Sequence, residues 1–246
     1  MTAGLPSPDE SVRVFEAMAA AGADAFEVGI PYADPLMDGP VIMEAGERAL
    51  AAGADVETCL GIVADVTATT GLPAIVMTYV NPVLRVGIDR FCSRVAEAGG
   101  CGLIVADLPV DEADPFAAAT REHGLGMVLF AAPTTTDARL RLIATARPAF
   151  VYAVAQLGVT GARDESSERI AGLAASIRDV VDGPVVAGVG ITTPDHARTV
   201  ASHVDGIIVG STLVRLVLEA PDVETACAAV SSGVAAFRAA VGDHQS

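Results

Sequence analysis

A single carboxylate stands inside an apolar stretch near the start of the chain. The stretch AFEVGI, residues 25–30, has the composition of a buried strand, and Glu27 interrupts it. Because strand residues alternate between two faces, Glu27 shares a face with Ala25 and Gly29, which are small enough to leave room beside it. Burial disfavours the charged form of a carboxyl and raises its pKa. We therefore predict that Glu27 faces a cavity and acts there as a general acid.

Two aspartates follow in the loop sequence PYADPLMDGP. Asp38 is close enough along the chain to face the same cavity, either as an acceptor for a substrate N–H or as a second acid/base group. Its alternative role is that of a helix N-cap. Asp34 precedes Pro35, and this pair is as compatible with a simple turn as with a functional site.

Asp107 and Tyr152 are further candidates for the same cavity. Asp107 ends the predicted strand GLIVAD, and Tyr152 lies inside the predicted strand AFVYAV. Their alternatives are a buried aspartate that binds loop amides and a tyrosine of the core.

Glycine-rich turns end the last two predicted strands and indicate a phosphate site. Gly188 and Gly190 belong to GVGIT, and Gly210 with Ser211 belongs to VGST, which opens a helix. Glycines let backbone amides approach an anion, and a helix N-terminus adds its dipole. The turn GVTG at residues 158–161, followed by ARDESSER, resembles a third such turn that leads into a lid; a solvated loop is the alternative.

The elements that position these residues alternate between short apolar runs and amphipathic helices. Seven runs begin near residues 25, 73, 102, 126, 149, 184 and 206. Alternating βα units with strands that are apolar on both faces predict a parallel sheet covered by helices. We expect a (β/α)8 TIM barrel, in which the working residues lie at the carboxyl ends of the strands, with a doubly wound open sheet as the alternative.

The first strand of that barrel is expected to be truncated. Ser7 and Glu10 are predicted to form a capping box, with Pro8 at the first helical position, so the first helix starts near residue 8 and only three or four residues remain ahead of it for a strand. Either the barrel closes poorly there or the native start codon lies upstream.

Composition excludes several classes of function. The 246 residues are 52% hydrophobic, which is enough for one domain over 1–246, and the net charge of −16 disfavours nucleic acid and anionic membranes as partners. No lysine is present, so a Schiff-base mechanism is excluded. The four cysteines and four histidines have no metal-binding spacing, and no leader or spanning segment is visible, so we expect a cytoplasmic protein without a metal site.

The motifs resemble the tryptophan synthase alpha subunit family across essentially the whole chain. In family order they are EVGIPYADPLMDGP, MTYVNPV, VADLPVDE, GVTGARD, GVGIT and VGST. The resemblance implies a lyase of tryptophan biosynthesis that cleaves indole-3-glycerol phosphate to indole and glyceraldehyde 3-phosphate without a metal or organic cofactor. It also implies a beta subunit as partner, in an αββα complex that passes indole through a tunnel.

The resemblance also implies roles for individual residues. Glu27 would protonate indole C3, Asp38 would bind the indole N–H, and Tyr152 would position the substrate near Glu27. The remaining substrate-binding positions would be Tyr79, Asp107 and Thr160, with phosphate held by the amides of Gly161, Gly190, Gly210 and Ser211.

Two features depart from the family pattern. Members usually have an N-terminal helix beneath the barrel and a full first strand, and Gln156 stands where many carry arginine. Three alternatives to a channelled alpha subunit therefore stay open: a free-standing lyase that releases indole for specialised metabolism, a non-catalytic activator of a beta subunit, and another phosphosugar-binding barrel such as an isomerase.

Overall fold

The computed structural model describes residues 1–154, 163–188 and 190–242, with only the backbone described for residues 163–167. The strands are β1 (Phe26–Gly29), β2 (Ala74–Thr78), β3 (Gly102–Val105), β4 (Gly126–Ala131), β5 (Phe150–Ala153), β6 (Val185–Ala187) and β7 (Gly206–Ile207). The helices are α1 (Pro8–Ala20), α2 (Pro40–Ala51), α3 (Val56–Thr70), α4 (Val80–Val86), α5 (Ile88–Glu97), α6 (Asp114–Glu122), α7 (Asp137–Ala146), α8 (Arg163–Arg178), α9 (Pro194–Ala201), α10 (Ser211–Glu219) and α11 (Val223–Val241), and a 3-10 helix spans Val110–Glu112.

The seven strands are parallel and pair in sequence order from β1 to β7. All seven begin within one residue of the positions that the sequence predicted. A doubly wound sheet reverses its strand order at a switch point, so the sequential order excludes that alternative. The sheet curls into a half-barrel with helices outside it, which confirms the predicted barrel class.

The N-terminal segment supplies only the tip of a strand. Thr2 forms a single parallel bridge with Gly29, supported by hydrogen bonds from Ala3 N to Gly29 O and from Gly29 N to Met1 O, both 2.9 Å long. Within the described ranges, no ladder joins this segment to β7. The predicted truncated first strand is therefore present.

Helix α1 begins at Pro8, as predicted, but its start differs in detail from a capping box. The Ser7 hydroxyl donates to the Glu10 carboxylate at 2.7 Å, and the Ser7 side chain accepts no backbone N–H. The Glu10 N–H instead binds the carbonyl oxygen of Ser7 at 3.2 Å. Proline at the first helical position still pre-sets the backbone, so the boundary falls where expected.

Two helices brace the ends of the sheet. The buried side chains of α11 recur at helical spacing, as Ala226, Val230, Val234 and Phe237, and α11 packs directly on α1. Under α1, the Phe15 ring meets the Phe26 ring edge to face at 5.2 Å. Since Phe26 precedes Glu27 in β1, this packing fixes the strand that carries the candidate acid.

A second, smaller apolar cluster fills the interior of the curl. It is built on Ile104, Val128 and Tyr152, with side chains from the neighbouring strands packed around them. The register pairs Glu27 with Ile75, one of those neighbours, so the alternation of the strands places Glu27 on the same inner face. No helix in the described ranges is both long and apolar enough to cross a membrane.

We expect Phe15→Ala to lower the free energy of unfolding by about 3–5 kcal/mol, because it leaves a cavity where a fully buried ring packs on β1. Urea unfolding followed by circular dichroism measures the change. Glu16→Ala, an exposed position on the same helix, should stay within about 0.5 kcal/mol of the wild type. A loss for Phe15→Ala as small as that of Glu16→Ala would contradict the assigned packing.

Candidate active site

A cavity of about 800 Å³ opens at the carboxyl ends of the strands. The loops after β1, β2, β3, β6 and β7 all contribute to its wall, which is where barrel enzymes place their working residues. Eight of the ten residues predicted for the site line this cavity: Glu27, Asp38, Tyr79, Asp107, Tyr152, Gly190, Gly210 and Ser211. The other two, Thr160 and Gly161, lie outside the described residues, as does Gln156, so their roles stay predictions.

Glu27 lines the cavity and has one buried carboxyl oxygen. The residue as a whole is partly exposed, yet its Oε2 atom is buried and has no hydrogen-bond partner among the described residues. Burial raises the pKa of Glu27 and the charge of Asp38 raises it further, while the amino group of Met1 opposes the shift. The result is a carboxyl whose pKa lies above the ordinary glutamate value, so it holds a proton more readily than an exposed one.

Asp38 is held in place by Tyr79, which follows β2. The Tyr79 hydroxyl donates to the Asp38 carboxylate and accepts a hydrogen bond from the backbone N–H of Met37 at 3.2 Å. Burial raises the pKa of Asp38, and the hydrogen bond from Tyr79 acts in the opposite direction. Burial and the nearby Asp38 charge raise the pKa of Tyr79, so its hydroxyl is a dependable proton donor to the carboxylate.

Tyr152 crosses the cavity floor close to the loop after β6. Its ring packs against Phe130 with centroids 5.1 Å apart. Its hydroxyl lies so near the backbone of Gly188 that a Cβ at that position would stand 1.9 Å away. Gly188 is therefore required by close approach, and the site accommodates Tyr152 only because residue 188 has no side chain. Burial and the charge of Glu27 raise the pKa of Tyr152.

Asp107 has a structural contact as well as a place in the cavity wall. Its Oδ1 atom accepts a hydrogen bond from the backbone N–H of Val80 at 2.7 Å, at the start of α4. This contact is the one expected of an aspartate that binds loop amides. Asp107 is exposed, however, and not buried as that alternative predicted. Asp34 is exposed and does not line the cavity, which agrees with the turn interpretation.

The predicted phosphate-binding turns meet at one side of the cavity. Gly190 adopts a φ of 84°, a conformation that favours glycine, and Gly210 is the N-cap of α10, which begins at Ser211. The first N–H groups of a helix have no partner inside it and attract anions. In the part of the chain that the structure describes, no group of three or more histidine, cysteine or acidic side chains is placed to hold a metal ion.

Several cavity residues were not singled out from the sequence. Tyr32 and Met37 lie in the same loop as Asp38, and Arg139 and Arg215 line the wall from α7 and α10. A signal was available for Tyr32, since it is an aromatic residue directly after the strand that carries Glu27. No sequence pattern distinguishes the two arginines from those elsewhere on the surface.

A curled parallel sheet, a buried carboxyl at the carboxyl ends of its strands and glycine turns after its last two strands define a βα-barrel enzyme. Comparison with known proteins identifies the kind. Residues 1–241 match the tryptophan synthase alpha chain family, and the chain belongs to that family. It is accordingly a carbon–carbon lyase of tryptophan biosynthesis.

Relatives and solved structures agree with this assignment. The tryptophan synthase alpha chain of Salinispora arenicola is 46% identical over 239 residues, which cover 96% of this chain and 89% of that one. The alpha chain of Thermobifida fusca is 43% identical over 242 residues, 97% of this chain and 89% of that one. The alpha subunit structure from Legionella pneumophila has a TM-score of 0.90 at 32% identity, covering 98% of this chain and 90% of that one.

We expect Glu27→Gln to become more stable relative to the wild type as the pH rises above 4.5, the ordinary pKa of a glutamate side chain. A raised pKa in the folded state means that the folded protein binds more protons than the unfolded chain between the two pKa values, so wild-type stability falls as pH rises through that window. The difference should grow by about 1.4 kcal/mol per unit of pKa shift. Urea unfolding at intervals from pH 4 to pH 8 measures it, and a difference that is constant with pH would show that Glu27 is not shifted.

Proposed function

We propose that Glu27 and Asp38 carry out the retro-aldol cleavage of indole-3-glycerol phosphate to indole and glyceraldehyde 3-phosphate. One observation supports this most directly: Glu27 lines the cavity, and its Oε2 atom is buried and has no partner among the described residues. A buried carboxyl oxygen without a hydrogen bond is destabilising, so its presence in a cavity is explained if a substrate group completes it.

The proposed reaction needs a proton at carbon and the removal of a proton from oxygen. The protonated Glu27 gives its proton to C3 of the indole ring, and the positive charge that results is shared with the ring nitrogen. The Glu27 carboxylate then takes the proton of the side-chain hydroxyl next to the ring. The O–H electrons form the new aldehyde, the carbon–carbon bond breaks, and its electrons restore the indole ring. A raised pKa of Glu27 suits both steps, because the group must donate and accept near neutral pH.

Asp38 stabilises the positive charge in this scheme. Its carboxylate accepts the indole N–H, which becomes more acidic as the ring is protonated, so the bond strengthens in the transition state. Tyr79 fixes this carboxylate from behind, through the hydroxyl that also binds the Met37 N–H. Tyr152, over Gly188, bounds the space near Glu27 and is placed to position the substrate there.

The phosphate is placed at the turn residues Gly190, Gly210 and Ser211. Supporting this, all three line the cavity and α10 directs its N-terminus there. The apolar wall beside them includes Ile208 and Phe130, which suit an indole ring. We also place the enzyme in the cytoplasm, since its four cysteines are free and thiols stay reduced in that compartment.

With the chain alone, we expect Glu27→Gln to lower kcat for indole release by at least about 100-fold, since it removes the only proposed proton donor. Asp38→Asn should lower kcat by roughly 10–100-fold, through loss of the charge that stabilises the ring cation. Indole formation from indole-3-glycerol phosphate is measured by its absorbance or by chromatography. Asp34→Asn, on the same loop and outside the cavity, is the matched control and should retain wild-type turnover.

A Glu27→Gln variant with unchanged turnover would overturn the proposed mechanism. If instead it loses all activity while the wild type is already fully active without a partner, a free-standing lyase is supported over a channelled subunit. Activity of the chain that rises strongly only when a beta subunit is added supports the channelled role.

We also propose that the rim of the cavity binds a tryptophan synthase beta subunit. Supporting this, Leu36 is 82% exposed, Met37 64% and Leu84 55%, and all three belong to the two segments that meet at the rim. The segments are joined there by a hydrogen bond from Asn81 to Tyr32. Exposed large apolar side chains at one place are typical of an interaction surface. Five of the solved relatives are described as tryptophan synthase from Mycobacterium tuberculosis, one of them with a TM-score of 0.88 and 39% identity over 98% of this chain and 90% of that one.

We expect the double variant Leu36→Asp, Leu84→Asp to raise the beta subunit concentration needed for half-maximal activation by about tenfold or more, because each aspartate must be desolvated at the interface. Activity of the chain alone should be unchanged. Leu142→Asp, a leucine that is 44% exposed on α7, is the control and should leave activation unaltered. Equal activation of all three proteins would place the partner surface elsewhere.

A further inference from the structure

Tyr32 contacts the residue that holds Asp38. Its ring lies on the ring of Tyr79, with centroids 5.2 Å apart and planes inclined by 31°. Its hydroxyl accepts a hydrogen bond from Nδ2 of Asn81, at the start of α4, over 2.8 Å. Tyr32 is therefore attached at both ends, by its ring to Tyr79 and by its hydroxyl to α4.

Tyr79 in turn holds the loop that contains Asp38. Its single hydroxyl binds both the Met37 N–H and the Asp38 carboxylate. The hydroxyl lies at the far end of the tyrosine side chain, so a small rotation about the Cα–Cβ bond moves it by a distance comparable to the tolerance of a hydrogen bond. The Tyr32 ring occupies the space into which such a rotation would carry Tyr79 on that side.

The rest of the loop gives Asp38 little support. Its internal hydrogen bonds are local turns, from Leu36 N to Asp34 O and from Asp38 N to Pro35 O, both 3.0 Å long. Among the described residues, the hydrogen bonds that tie the segment between Pro31 and Gly39 to β2 and α4 are those of Tyr32 and of Tyr79. Tyr32 thus attaches the start of the loop, and Tyr79 attaches its end.

We propose that Tyr32 is a positioning residue for Asp38: with the Asn81 amide it fixes the Tyr79 ring, and through that ring it fixes the carboxylate. The proposal rests on the proposed function of Asp38 and adds a residue to it. Tyr32 acts through Tyr79, so its loss affects the Asp38 carboxylate and leaves the proton donor Glu27 and the phosphate turns in place.

Loss of the Tyr32 ring should act mainly on the acid limb of the pH profile of kcat. The Tyr79 hydrogen bond holds the pKa of Asp38 below the value that burial alone would give. If the Tyr79 ring is released, the pKa of Asp38 rises, and since the ionised form binds the indole N–H, the acid limb of kcat moves to higher pH. The basic limb, set by protonated Glu27, should move less, because burial is the main cause of the raised pKa of Glu27 and the Asp38 charge is a smaller one. The ionisable groups that act on this pair are Glu27, next to Asp38, and Asp107, whose charge reaches Tyr79, and the substitutions leave both unchanged.

The test compares Tyr32→Leu, Tyr32→Phe and Asn81→Ala in the complete chain. We expect Tyr32→Leu, which removes the ring, to lower kcat at least about tenfold, because misplacement of about 1 Å has effects of that order or larger. Tyr32→Phe keeps the ring and loses the hydroxyl, so it should give a smaller loss and a smaller shift of the acid limb. In the double variant Tyr32→Phe, Asn81→Ala, the two losses should not add, because both remove the same hydrogen bond. Asp34→Asn, an exposed residue of the same loop outside the cavity wall, is the control and should match the wild type.

A direct titration of Asp38 by carbon-detected NMR separates this proposal from the proposed function. A higher pKa of Asp38 in Tyr32→Leu supports the positioning role even if the wild type releases no indole, and in that case only the proposed function fails. An unchanged pKa and an unchanged acid limb in a folded Tyr32→Leu protein would overturn the proposal, as would a loss of stability without either change.

Discussion

The burial of one carboxyl group among apolar side chains is the constraint on which the site depends. Glu27 stands on the inner face of β1, beside the interior cluster that contains Tyr152, and its Oε2 atom has no partner among the described residues. A strand and its neighbours can hold a carboxyl in that state because the sheet supplies the hydrogen bonds of the backbone and α1 packs behind it. Burial of the carboxyl costs free energy, and it also raises the pKa of Glu27, which suits proton transfer. Groups with strongly shifted pKa values are typical of functional sites.

Around that carboxyl, the structure divides its tasks between rigid and adaptable parts. The proposed donor, Glu27, stands on a strand whose position is fixed on both sides, by β2 and by the bridge to Thr2. Asp38, the proposed acceptor, stands on a loop and gains its position from side chains of another element. A partner bound at the exposed Leu36 of this loop would act on Asp38 without disturbing Glu27. This arrangement gives a physical route by which binding at the rim would change turnover.

The sequence was sufficient to predict the architecture, and eight of the ten residues that it indicated for the site line the cavity. The strands were predictable because apolar runs of strand length alternate with helical patterns, and Glu27 stood out because a charge in such a run has few harmless explanations. The glycine turns followed from the need of an anion for close backbone contact.

The sequence could not predict the contacts between Tyr79 and Met37 and between Asn81 and Tyr32, which join residues 42 and 49 positions apart. They depend on the register of β1 against β2 and on ring orientations, and neither is encoded in local periodicity. The fine structure of the first helix start was missed because the Ser7 hydroxyl binds the Glu10 carboxylate and not a backbone N–H, a choice that the residue types leave open.

The strand order also bears on how the chain folds. Every strand pairs with the strand next to it in the sequence, so the sheet can grow one βα unit at a time as the chain is synthesised. The packing of α1 on α11 is different, because it joins the two extremities of the fold and must wait for the last helix. Its ion pairs, Arg13 with Glu224 and Arg238 with Asp24, have well-exposed acidic partners and add little by themselves, so apolar contact secures the join. The packing of α1 is therefore complete only when α11, the last helix described, is in place.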